Sequence, residues 1–139
     1  MPSKVLSLKP PKIWSLRKAD IEFSKWIRER DKFCQYPLRL GCWNDILQCS
    51  HYIGRAHKAT RWDPDNCVTL CIKHHFKDKQ LGYEYQKQTE RQHGWDGQYT
   101  LFMKRRLGEK GFKELLKRGQ KPMNQKLAIM QCMELLKAL

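Results

Sequence analysis

"HYIGRAHKATRWDPDNCVTLCIKHHFK", residues 51–77, is the stretch on which the reading of this chain turns. It gathers four of the five histidines, two of the six cysteines and an Asp-Pro-Asp-Asn turn. Cysteine and histidine are the soft and borderline ligands of transition metals, and histidine is the side chain that exchanges a proton near neutral pH. Two short apolar runs, "DILQCSHYI" (45–53) and "NCVTLCI" (66–72), each have the length of a strand. A basic loop joins them. The polar run after Ile72 has helical composition, with Gly82 as its weak point.

Zinc takes four tetrahedral nitrogen or sulfur ligands, commonly as two close pairs from separate parts of the chain. Cys71 and His74 form one such pair where the second strand meets the following helix. Cys34 and Cys42 form the other, across a gap wider than usual that Pro37 and Gly41 allow to fold back. Cys49 competes with Cys42 for that place. Cys67 alternates along a strand and Cys132 lies in an apolar helix, so both read as buried thiols.

Outward from this centre, residues 1–14 read as a flexible basic arm, because Pro10 and Pro11 stop any early helix. From Ser15, a suitable N-cap, Leu16, Ala19, Phe23, Trp26 and Ile27 recur at helical spacing, which predicts a helix over 15–31. A zinc-bearing core is expected over 33–90 and C-terminal helices over 98–138, all within one domain, 15–139. His93 to Gly97 read as a turn, "YTLFMKRRLGEKGFKELLKRG" as two helices broken near Gly108, and Pro122 as the place where the last, largely apolar helix begins. That helix must dock on its own domain or on a second copy of the chain.

The charge names a partner class. Lys plus Arg number 28 against 14 Asp plus Glu in 139 residues, a net charge of +14. Such a surplus repels itself unless a polyanion lies against it, and nucleic acid is the leading candidate. No apolar run approaches the roughly 20 residues of a membrane span, and the N-terminus lacks a secretory pattern, so a cytoplasmic protein is expected. In a reducing compartment six cysteines point to metal ligands and thiols rather than disulfides.

"SHYIGRAHKATRWDPDNCVTLCIKHH" (50–75) resembles the His-Asn-His (HNH) nuclease motif, and the wider chain is similar to the phage NinG, or Rap, recombination family. The similarity starts at "RKADIEFSKWIRERDKFC", passes through "SHYIGR", "KATRWDPDN" and Cys-x2-His-His, returns weakly in "YTLFMKRRLGEKGFKEL", and covers most of residues 17–118. It implies an α+β fold: a small ββα-metal HNH core with a structural zinc knuckle, flanked by N-terminal and C-terminal helices. It implies a catalytic set of His51 as general base, Asn66 as the middle residue and His75 as ligand of a catalytic Mg²⁺ or Mn²⁺, beside structural Zn²⁺. The implied substrate is DNA, branched or double-stranded, such as a Holliday junction of a phage. Arg55, Lys58 and Arg61 on the loop between the strands suit contact with backbone phosphates. Branched DNA is two-fold symmetric, so the C-terminal helix is also a candidate homodimer interface.

The chain departs from the family pattern in its wide first cysteine gap, in His74 where the family has a cysteine, and in Ser50 where many related nucleases hold the metal with Asp or His. Either the ion keeps more water, or Asp63 or Asp65 contributes; the composition of Asp63-Pro64-Asp65 reads rather as a plain turn. Tyr83, Tyr85, Trp95 and Tyr99 interleave with cations and suit either base stacking or a core. Two other functions fit the same residues: a zinc-stabilised DNA-binding module without hydrolytic activity, and an HNH nickase of phage DNA packaging.

Overall fold

The structure, a computed structural model, describes residues 12–36, 42, 46–75 and 98–137. Helix α1 (Leu16–Asp31) starts where the sequence says it should: Ser15 Oγ accepts a hydrogen bond from Lys18 N at 3.1 Å. Its apolar stripe buries Ala19, Phe23 and Ile27. Strands β1 (Leu47–His51) and β2 (Cys67–Cys71) pair antiparallel, with Leu47 opposite Cys71 and His51 opposite Cys67. Between them lie a short helix α2 (Lys58–Arg61) and a 3₁₀ turn (Pro64–Asn66), within the segment expected to be a basic loop. A helical turn follows β2 directly at 72–75.

Helix α3 (Gln98–Gln120) is two helical halves joined at Gly108, whose φ of 76° and ψ of 164° suit a residue without Cβ. The break expected near Gly108 is therefore present. Helix α4 (Gln125–Lys137) starts later than Pro122: Asn124 Oδ1 accepts from Lys126 N at 2.8 Å and caps it. An Asx oxygen satisfies an open N–H of the first turn, which outweighs proline's fixed φ.

Helices cover both faces of the two-stranded sheet, which explains why every residue of β2 is buried. On one face Val68 and Leu70 pack with Tyr99, Met103, Phe112 and Leu115 of α3. On the other, Cys67 joins Ala19, Phe23 and Ile27 of α1 and Ala128, Ile129 and Cys132 of α4. The apolar face of α4 thus serves its own domain, the first of the two docking choices. Cys132 is buried, and burial pushes its thiol up to about 12.

Tyr99 is a core residue rather than a stacking platform, being fully buried with its hydroxyl 3.0 Å from Ser50 Oγ. Most of the arm (1–14), the turn at 93–97, and Tyr83, Tyr85 and Trp95 lie outside the described residues. No described helix is long and apolar enough to cross a membrane.

Candidate metal centre and catalytic cleft

Cys34, Cys42, Cys71 and His74 converge, as the cysteine spacing predicted. Their ligand atoms all lie within 4.8 Å of one another, and Cys34, Cys71 and His74 are buried. His74 Nδ1 stands 3.5 Å from Cys34 Sγ, 3.5 Å from Cys42 Sγ and 3.2 Å from Cys71 Sγ. One ring nitrogen cannot make a directed hydrogen bond to three sulfurs at once. Ligands held tetrahedrally at zinc distances, about 2.3 Å for sulfur and 2.0 to 2.1 Å for nitrogen, stand about 3.6 Å apart. The cluster matches those edges and can hold a zinc ion.

Local structure explains the convergence. Gln35 N donates to Thr69 O at 2.8 Å and ties the segment after α1 to β2, while the turn at 72–75 brings His74 back over Cys71. Tyr36 stacks on the His74 ring at 3.8 Å between centroids and 4° between planes, which fixes the imidazole. Burial and the neighbouring Cys34 and Cys71 thiols push Cys42 up to about 12, so these groups reach their ligand state by losing protons as a cation enters. Cys49, the competitor in sequence, is not in this cluster.

Asn66 is fully buried and ties the segment 52–60 to the start of β2. Its Oδ1 accepts from Ile53 N at 2.7 Å, and its Nδ2 donates to Ile53 O and Thr60 O, both at 3.0 Å. The backbone closes the same corner through Tyr52 N to Asn66 O at 2.9 Å. His51 stands at this corner. Its Nε2 lies 2.7 Å from Arg61 O, and a carbonyl only accepts, so Nε2 carries the proton and Nδ1 the lone pair.

A cleft of about 540 Å³ opens beside the sheet, lined by both His51 and His75 and also by Asp20, Arg28, Gln48 and Arg55. His75 Nδ1 donates to Gln48 Oε1 at 2.6 Å, which puts the lone pair of that ring on Nε2. Arg55 is exposed at the mouth and Lys58 is half-buried beside it in sequence. Arg61 is different and corrects the expectation of a phosphate contact. Only 8% exposed, it makes a two-pronged pair with Asp20 (3.0 and 2.6 Å) and donates to Arg55 O at 3.1 Å. Its donors are spent inside the protein, where they hold the very carbonyl segment that orients His51.

The Asp63-Pro64-Asp65 segment is a turn and lies outside the lining of this cleft. Asp63 Oδ1 accepts from Asp65 N at 3.0 Å, and Arg118 binds both carboxylates, at 2.7 and 3.0 Å. Ser50 faces the α3 core, away from the cleft, through its contact with Tyr99. Sequence reasoning missed Asp20, Arg28 and Gln48. They come from α1 and from the strand position before the Cys49 face, and only packing brings them beside the histidines.

Burial pushes His51 down to about 4, with Arg55 and Arg61 acting in the same sense and the Arg61 carbonyl and Asp20 opposing. The ring is neutral at physiological pH. Burial acts to raise Asp20, but Arg61, the Trp62 indole N–H and Arg55 outweigh it and hold the carboxyl below its usual range. For His51 the unfolded chain binds the proton first, at about 6.5, so its share of stability is complete above that pH and is lost as pH falls toward 4. That share is roughly 2 to 3 kcal/mol after solvent screening. Urea unfolding of the wild type should lose this amount between about pH 7 and pH 4 relative to His51→Gln. An identical pH response of the two proteins would refute the assignment.

The chain matches no protein-family model, no curated protein and no solved structure in comparison with known proteins.

Proposed function

We propose that the protein is a metal-dependent DNA endonuclease of the HNH type, with branched recombination intermediates as its substrate class. One observation carries the reading: the two histidines the motif singles out, on β1 and after β2, line one cleft together with Arg28 and Arg55. A strand, a loop pinned by a buried Asn, a second strand and the helical turn bearing His75 support this reading, following the order of elements in a ββα motif.

His51 is the base. Its Nε2–H is held by the Arg61 carbonyl, so the ring presents Nδ1 in the lone-pair tautomer that accepts a proton from attacking water. Asn66 acts on the base only by fixing the segment that carries Arg61 and by closing the turn after His51. Arg28 and Arg55 offer positive charge to phosphoryl oxygens as negative charge grows there.

His75 fits a divalent ion through Nε2, with Gln48 in the orienting role that ligand histidines usually receive from a neighbour. Asp63 and Asp65 are committed to Arg118 and Ser50 faces the core, so an ion here keeps several waters, as Mg²⁺ tolerates. When bound, such an ion supplies Lewis-acid stabilisation of the phosphoryl and leaving oxygens. The surplus of cations supports polyanion binding, whose salt slope should be about −0.9 per phosphate engaged on duplex DNA.

The test compares linear, flapped and four-way DNA with Mg²⁺, with Mn²⁺ and with neither. Ion-dependent cutting, strongest on branched DNA, is the expected result. Salt-sensitive binding without cutting of any of them would leave a zinc-stabilised DNA-binding module as the function.

A further inference from the structure

A second cysteine and histidine cluster sits at the other end of the strand pair. Cys49, His51 and Cys67 have their ligand atoms within 4.8 Å of one another, and none of the three belongs to the Cys34–His74 centre. The sheet explains the cluster. Backbone bonds run from Ile72 N to Ile46 O and from Tyr52 N to Asn66 O, both 2.9 Å, so the alternate pairs, including His51 with Cys67, are non-hydrogen-bonded. Side chains at such pairs approach most closely. Cys49 precedes His51 by two residues and therefore shares its face, diagonal to Cys67.

We infer that Cys49, His51 and Cys67 form a second site for a thiophilic divalent ion such as Zn²⁺, and that filling it silences the cleft. Two sulfurs and one imidazole make a donor set that prefers such ions to Mg²⁺, which takes oxygen. The site has the open form of three protein ligands. Cys49 and His51 line the cleft while Cys67 closes the buried side, so a fourth position faces solvent. The second shell is already built, because the His51 Nε2–H is held by the Arg61 carbonyl, which Asp20 in turn supports through the Arg61 guanidinium.

The consequence rests on the endonuclease reading. A lone pair given to an ion cannot take a proton from water, so the same ring serves as base or as ligand. A hard ion in the cleft accompanies cutting; a thiophilic ion stops it. The thiol protons leave to solvent on binding, and no oxidant is needed.

Cobalt titration of the full chain under a phosphine reductant tests the site directly. The wild type should take a second equivalent of Co²⁺, with added sulfur-to-cobalt charge-transfer absorption, after the first fills the Cys34–His74 centre. Cys49→Ser and His51→Ala should stop at the first equivalent, whose intact spectrum also reports that each variant is folded. Free Zn²⁺ should inhibit Mg²⁺-supported cutting by the wild type, and Cys49→Ser should need on the order of a hundredfold more Zn²⁺ for the same fractional loss of its own rate. A wild type that stops at one equivalent overturns the site, as does a second equivalent that survives Cys49→Ser. A chain that takes the second ion as described but cuts no DNA supports the site and removes the endonuclease reading instead.

Discussion

Replacing His51 with Ala is expected to cut single-turnover DNA cleavage by about a hundredfold to ten-thousandfold, the usual worth of a positioned general base. The imidazole is neutral at working pH, and Arg61 O holds it in the tautomer that bears its lone pair on Nδ1. Alanine removes the proposed proton acceptor and leaves the cations Arg28 and Arg55 in the cleft. DNA affinity and the zinc content of the Cys34–His74 centre should therefore stay as in the wild type. A mutant that cleaves within a few-fold of the parent would remove His51 from the chemistry. A mutant that loses binding as well would assign the ring to the fold, since half-buried His51 also shapes the corner between β1 and α2.

Stripping the ion from Cys34, Cys42, Cys71 and His74 is expected to do the larger structural damage. The four ligands join the segment after α1 to the end of β2 and to the turn that carries His75, places otherwise linked by few bonds such as Gln35 N to Thr69 O. Structural zinc contributes about 10 to 16 kcal/mol in small zinc-finger peptides, as much as the whole folding stability of a typical domain at about 5 to 15 kcal/mol. Even a third of that would lower the thermal midpoint of a domain of this size by on the order of 15 °C. Melting with and without a strong chelator measures the effect, and Cys71→Ser should reproduce it without chelator. Cys132→Ser, remote from the ligands, should be insensitive in zinc content. An unchanged midpoint after verified metal removal would show that the cluster is not what holds these segments.

Local signals in the sequence were enough for helix α1, both strands and the break at Gly108. Ser15 caps its own helix, apolar residues recur at the period of each element, and glycine marks a backbone conformation that other residues avoid. The zinc set was legible for a related reason: Cys71 and His74 are spaced for one ion wherever the chain goes. What spacing left open was the choice between Cys42 and Cys49. The fold decides it: the Cys42 thiol completes the set with Cys34, Cys71 and His74, whereas the Cys49 thiol gathers with His51 and Cys67.

Arg61 is the clearest case of the opposite kind. On sequence it is one more cation in a basic loop beside Arg55 and Lys58, and nothing local distinguishes the three. Only the arrival of α1 places Asp20 against its guanidinium and Trp62 beside it, converting an apparent phosphate contact into a buried ion pair beneath His51. Tyr99 and the Asp63–Asp65 turn follow the same pattern, each committed by a partner far away in sequence, Ser50 in one case and Arg118 in the other. By itself, then, the order of residues determined helix α1, the two strands and the Cys71–His74 pair, because those depend on periodicity and short-range spacing, while His51 was singled out by resemblance to a motif. Tertiary structure alone decided which charges face solvent and which thiols face His51, because desolvation and ion pairing act between residues that meet only when helices close over both faces of the sheet.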